Sequence, residues 1–283
     1  MTDIHGVKGD IYQTGVVAKY EMLKYIRGKK IYVFSAIMLL VLFLMTILPY
    51  LIGDGLSEDP TDLMVGGSSG MGYASMISLF VIFGATLFAS GALVSEFEER
   101  TALLTFTRPI KKESVFFGKM LASFLFTAMF ILAYYLIVIV ISLIVAGGVA
   151  DNVLPSIGIS MLYILAVNAV AFLISAFLKK GSTAAIMTFI LFLLIFQMLT
   201  GIMMIFGIEP VYDLTYASTA IQSIISGAVT SPIIDSSTGD TLIMFGREMY
   251  NYVPTVGLAV SIMVVWLIVA TAIAMVQFKR REF

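Results

Sequence analysis

Few residues of this chain could carry out bond chemistry, and their spacing argues against it. There is no cysteine, so thiolate metal sites, disulfides and a Cys nucleophile are absent. The one histidine, His5, stands in a polar N-terminal stretch and reads as a solvated residue. No GxxxxGK[ST] phosphate cradle occurs: Gly28-Lys29 and Gly118-Lys119 lack both the upstream glycine and a following Ser or Thr. HExxH is missing too. The densest charge lies in Ser95–Lys119, SEFEERTALLTFTRPIKKESVFFGK, with Glu96, Glu98, Glu99, Arg100, Arg108, Lys111 and Lys112. Side chains of these types can pair and dock, and a stretch so charged must face water.

The elements around this stretch are apolar. Hydrophobic residues make up 60% of the 283 and charged ones 12%, about half the charge of a soluble domain, and the mean hydropathy is +1.02. The fold class is therefore an all-α polytopic membrane protein. Six segments reach the roughly 20 residues that cross about 30 Å of hydrocarbon. They are 31–52, 73–94, 116–146, 156–178, 182–206 and 254–276. Each must close its own backbone hydrogen bonds in lipid, which selects helices. The first thirty residues hold no apolar core of the signal-peptide kind, so the first span is expected to be retained. From 12 to 30, Val16, Tyr20, Leu23 and Ile26 recur at helical spacing among Lys19, Lys24, Arg27, Lys29 and Lys30. Such a basic amphipathic helix lies flat on an anionic membrane face, or simply leads into the first span.

Loop charges orient the spans. The N-terminal segment, the Ser95–Glu113 loop with Lys119, the pair Lys179–Lys180 and the tail Lys279–Arg280–Arg281 hold every basic residue but Arg247. The alternate loops hold acids instead, among them Asp54, Asp62, Asp151, Glu209, Asp213 and Asp240. Both termini are thus expected in the cytoplasm. Residues 53–72 read as a flexible outer loop. The outer segment 207–253 includes a short helix over 212–229, with Ala217, Ile221, Ile224, Ile225 and Ala228 on one face.

No span carries Lys, Arg, Asp or Glu in its middle, which weighs against ion-coupled carriers and intramembrane proteases. The amides Asn168 and Gln197 could line a translocation path, although a hydrogen bond across a helix interface is the commoner role. Gly84, Ala85, Ala89, Ser90, Gly91 and Ala92 let the second span approach a neighbour closely. In the loop, Ser95 can cap a helix opening on Glu96, Glu98 and Glu99. Leu103, Leu104 and Phe106 supply its apolar side and Pro109 ends it.

The order Glu96, Glu99, Arg100-Thr101, Leu103-Leu104, Arg108-Pro109-Ile110, Lys111-Lys112 and Gly118-Lys119 resembles the first cytoplasmic loop of ABC-2 type permeases, the membrane subunits of a class of ATP-binding-cassette transporters. Phe106, where leucine is commoner, and Lys111–Lys112, where an Arg often sits, depart from that pattern. The stretch Lys19-Tyr20-Glu21-Met22-Leu23-Lys24 through Arg27 and Lys30 is similar to the family's interfacial elbow helix, and Phe278–Phe283 resembles its usual ending. The resemblance covers essentially the whole chain.

It implies a single ABC-2, type V exporter-like transmembrane domain over residues 1–283, with an elbow helix at 12–30 and a coupling loop at 95–115. Glu96, Glu98, Glu99, Arg100, Thr101, Arg108 and Pro109 would contact an ATPase partner, two copies of which would serve two permease copies, identical or paralogous. This chain would bind no cofactor, with ATP and Mg on the partner, and it would catalyse nothing itself. Membrane lipids are the other expected partner, and nucleic acid is not. The expected location is a cell membrane, a prokaryotic plasma membrane by analogy. A stand-alone six-span channel or carrier, or a scaffold recruiting a soluble protein, are the competing readings.

Overall fold

The computed structural model describes residues 7–52, 55–66, 72–94, 112–233, 241, 243–244, 247–248 and 250–280. Helix α1, Val7–Arg27, is separated from α2, Lys29–Ile52, only by Gly28. The apolar stripe of α1 turns outward, with Tyr20 69% and Ile26 48% exposed, whereas Ala18, Glu21 and Tyr25 form its buried face. That face lies on α5, Lys112–Val145. A glycine makes the approach possible: a Cβ on Gly118 would stand 2.8 Å from the Thr14 carbonyl and from Val17 Cβ.

Helix α4, Ser75–Ala89, is enclosed by its neighbours. Phe80, Val81, Ile82, Ala85, Phe88 and Ala89 are all buried, which explains why this segment is apolar all round. Its α-helical part, Ser75–Gly84, reaches only about 15 Å at about 1.5 Å per residue. The apolar run over 73–94 is therefore partly helix and partly a hydrogen-bonded turn over 90–93, with Val94 helical again. The last turn, Ala85–Ala89, is π-helical, with Ser90 N–H bonded to the Ala85 carbonyl at 2.9 Å. A Cβ on Gly84 would meet Thr127 Cγ2 at 2.6 Å, so here too the helices touch because one side chain is missing. Phe34, Phe80, Phe88, Phe126 and Phe130 fill the space between α2, α4 and α5, with ring centroids 4.7 Å apart for Phe34–Phe130 and 4.8 Å for Phe88–Phe126.

Helix α6, Val153–Phe177, and α10, Val256–Arg280, form the most extensive helix–helix contact among the described residues. Ala166, Ala169 and Ala176 on α6 and Ala259, Ala270 and Ala274 on α10 are fully buried, and small residues of this kind let helices pack without a hydrophobic drive in lipid. Helix α7, Gly181–Ile205, carries a second π-helical stretch at Leu191–Phe196. Among the described residues five helices, α2, α5, α6, α7 and α10, are long and apolar enough to cross a membrane, and α4 is a shorter apolar helix beside them. The chain is an all-α multi-pass membrane protein.

The polar connections carry more structure than their composition suggests. Within 53–72, Asp59 caps α3, Pro60–Val65, by accepting from the Thr61 amide at 2.7 Å, and Gly66 at φ 97° closes it. Leu63 and Met64 are buried, so this piece is packed down. The patterned stretch 212–229 forms two helices, α8 at Leu214–Ser218 and α9 at Ala220–Ser226, with the break at Thr219. Ala217, Ile221 and Ile225 are buried, whereas Ala228 is exposed beyond the end of α9. Short antiparallel pairings, Ser231 with Asn251 and Ile243 with Glu248, follow before α10.

Candidate functional site

A concentration of polar contacts lies where α1, α4 and α5 meet. It begins with an excess of acceptors. The last carbonyls of any helix lack intrahelical partners, and in α4 these include those of Leu87 and Phe88, beside which stands the carbonyl of the turn residue Ala92. Each receives a donor from a different element. Tyr25 Oη on α1 donates to the Phe88 carbonyl at 2.9 Å. Lys30 Nζ at the start of α2 donates to the Leu87 carbonyl at 2.9 Å. Lys119 Nζ on α5 donates to the Ala92 carbonyl at 2.7 Å. Two of the donors are cations, which the negative end of a helix dipole favours.

Lys119 is 2% exposed, and its second partner is Glu21 Oε2 on α1 at 3.4 Å. Removing a lysine from water costs several kcal/mol unless its charge and protons are matched. The carboxylate supplies the charge and the Ala92 carbonyl a hydrogen bond, so the pair locks three elements to one point. Burial first, and then the charge of Glu21, hold the Tyr25 hydroxyl well above its usual range, so it stays a neutral donor at physiological pH. Gly118 and Lys119 thus act together: the glycine admits α1 to contact and the lysine fastens it.

This junction stands at both ends of the charged loop. The described chain leaves at Val94, two residues after Ala92, and returns at Lys112 on the helix that carries Lys119. The return end is also tied to α10, by an ion pair between Glu113 and Lys279 and by the rings of Phe116 and Phe278 at 5.9 Å. Glu96, Glu98, Glu99, Arg100, Thr101, Arg108 and Pro109 lie outside the described residues.

The two amides occupy unlike places. Asn168 is fully buried in α6, and neither amide atom has a hydrogen-bond partner among the described residues. Gln197 follows the π-helical stretch of α7 and is exposed, between Ile195 and Met198, which are 46% and 58% exposed. They share no surface within one chain.

Along the sequence Lys119 reads as a loop cation and Glu21 has no evident partner. One signal was available, since Glu21 is the only acid in the basic stretch 12–30.

A model of the ABC-2 family transporter proteins matches residues 16–283, a region that takes in Glu21, the loop and Lys119. Comparison with curated proteins finds no match.

Proposed function

The chain belongs to the ABC-2 family of transporter proteins, and on that premise we propose that it is the permease subunit of an ATP-binding-cassette exporter, powered by separate ATPase subunits. Two permease copies face each other and each rests on one ATPase, which binds ATP and Mg. The loop segment Glu96–Pro109 is the docking surface, and it transmits force without bond chemistry of its own.

The observation that carries this reading is the buried Lys119 junction. A loop that drives spans must be anchored so that a push on it moves helices instead of bending a hinge. Here the chain just before the loop is bonded to the helix just after it, and both are bonded to α1. A displacement of the loop therefore reaches α1, α4 and α5 together, and through Glu113–Lys279 it reaches α10. Helix α10 passes it to α6, its most extensive contact among the described residues.

Gln197 suggests where the second copy sits. An amide exposed at membrane depth is costly in lipid and calls for a polar neighbour. The α7 face that bears it is therefore the one that meets the other permease copy, with the path between them.

Copurification from native membranes tests the proposal. A nucleotide-hydrolysing subunit should accompany the chain, and reconstituted pairs should move cargo only with ATP. Uphill transport by the chain alone, with no such subunit present, would overturn it.

A further inference from the structure

Asp213 reads along the sequence as an outer-loop acid, yet it is 1% exposed in the folded chain. The neighbouring Tyr212 carbonyl accepts from Trp266 Nε1 at 2.8 Å. Trp266 stands near the middle of α10, so the carboxylate lies well below the outer end of that span. An acid at such depth is costly unless its oxygens are matched, and acids of this kind mark functional sites.

Its two oxygens have separate partners. Oδ1 accepts from the Thr215 amide and from the Thr215 hydroxyl, both at 2.8 Å, and these bonds cap α8. Oδ2 accepts from Thr200 Oγ1 on α7. The cap does not need that second bond, which joins two elements of unlike firmness. Every residue of α8 is buried, against α6 and α10. None of Gln197–Ile205 is buried, and this last stretch of α7 begins directly after the π-helical Leu191–Phe196. Such a break in the regular ladder is where a helix bends or turns, and it often marks a functional site. Met203 on the same arm touches Tyr212, the residue before Asp213. Thr200 lies one turn past Gln197 on the same side of the arm, so its bond to Asp213 fixes the direction in which Gln197 points.

We propose that Asp213 is a latch on this arm: holding Thr200 keeps the outer end of the path closed, and releasing it lets the arm turn about the π-helical stretch. This role rests on the transport reading, because it takes the α7 face as the wall of the path. When Thr200 leaves, Oδ2 loses its donor, and a buried carboxylate oxygen without one is costly. Water must replace the hydroxyl, so release of the latch and wetting of the outer end occur together.

Labelling of the full chain in micelles tests the latch. The chain lacks cysteine, and Ser218→Cys gives a near-isosteric probe in α8 at a position 7% exposed. A charged methanethiosulfonate reacts with a thiolate, which forms only where water reaches. Thr200→Val removes the bond at similar size and leaves the cap intact. It should speed labelling about tenfold, the factor for one hydrogen bond to a charged group. Thr188→Val takes a hydroxyl from α7 on the other side of the π-helical stretch, where it donates to the Ala184 carbonyl at 2.8 Å, and should change nothing. In pairs reconstituted with the ATPase, Thr200→Cys with Thr215→Cys replaces the two hydroxyls that meet on the carboxylate. A short reducible bis-methanethiosulfonate across them should stop transport, reduction should restore it, and the ATPase should copurify throughout. Equal labelling with and without the Thr200 hydroxyl, equal acceleration by Thr188→Val, or transport through the bridged pair at the unbridged rate overturns the latch. Should no nucleotide-hydrolysing subunit accompany the chain, the transport reading fails, and the labelling still decides whether Asp213 holds the arm.

Discussion

Lys119 Nζ on α5 sits 3.4 Å from Glu21 Oε2 on α1, with the lysine 2% exposed and the glutamate side chain 11%. The two residues are far apart in sequence and are the only partners of opposite charge on the α1–α5 contact that the described residues record. Truncating Lys119 leaves the Glu21 carboxylate buried without that cation. Lys119→Met should therefore destabilise the chain by about 3–5 kcal/mol. Adding Glu21→Met should recover most of that loss, because two apolar side chains leave no charge to solvate. Unfolding of the two single variants and the double variant in micelles measures the coupling. Strictly additive losses would mean that the ion pair contributes nothing.

The Gly118 contact predicts a different failure, one of geometry instead of charge. Gly118→Ala places a methyl group 2.8 Å from the Thr14 carbonyl and from Val17 Cβ. One of those neighbours is backbone and cannot swing away, so α1 must shift at a cost of about 1–3 kcal/mol. The chain lacks cysteine, and Ala18→Cys therefore gives a unique probe on the buried face of α1, where Ala18 is 4% exposed. Maleimide should label it slowly in the parent and at least several-fold faster beside Gly118→Ala. Gly158→Ala, where an added Cβ meets nothing within 4 Å, is the control and should change nothing.

Much of the fold was legible because lipid imposes a coarse rule. Long runs without charge must be helices, and α2, α5, α6, α7 and α10 are such runs. The rule is silent about short-range departures. The π-helical turn of α4 leaves no residue-type signature, so an apolar run over 73–94 does not reveal that regular helix stops at Gly84 and helix of any kind breaks after Ala89. In 53–72 the signature was present, since Asp59-Pro60 is a cap followed by the residue best suited to the first helical turn. The surrounding Gly and Ser outweighed it. Lys119 is the instructive case for the site. Read along the chain it is one more cation near a basic loop, and only the distant Glu21 shows that it is structural. Asn168 and Gln197 looked alike in sequence, and burial alone separates them.

Asn168 should behave as a group held ready for another state. Its amide is fully buried without a partner, and Ser175 Oγ, two turns along the same face of α6, is also unpaired among the described residues. A buried amide without partners costs about 1–3 kcal/mol. Asn168→Leu removes that cost at similar volume and should stabilise the resting chain by about 1 kcal/mol. It should also slow transport and partner-stimulated ATP hydrolysis, because the state in which the amide finds partners loses its advantage. Thermal unfolding read beside ATPase rate checks both halves. A variant both less stable and fully active would mean that the amide is already satisfied at rest.

The loop itself gives the most direct prediction about coupling. In the proposed arrangement Glu96 and Glu99 open the segment that docks on the ATPase, and opposite charge at such a rim speeds encounter and sets register. Glu96→Lys with Glu99→Lys reverses the sign of that end without touching a span, so the protein should insert and fold as before. Like charges brought together across an interface cost several kcal/mol, which corresponds to at least a tenfold loss of affinity. Partner copurification and stimulated ATP hydrolysis should both fall by that factor, whereas the melting temperature of the isolated chain should not move. The Lys119→Met variant should give the opposite pattern, a destabilised chain that still binds its ATPase but couples poorly, because its fault lies above the docking surface. If the charge reversal left copurification and hydrolysis at parent levels, the acidic end of the loop would not be where the partner rests.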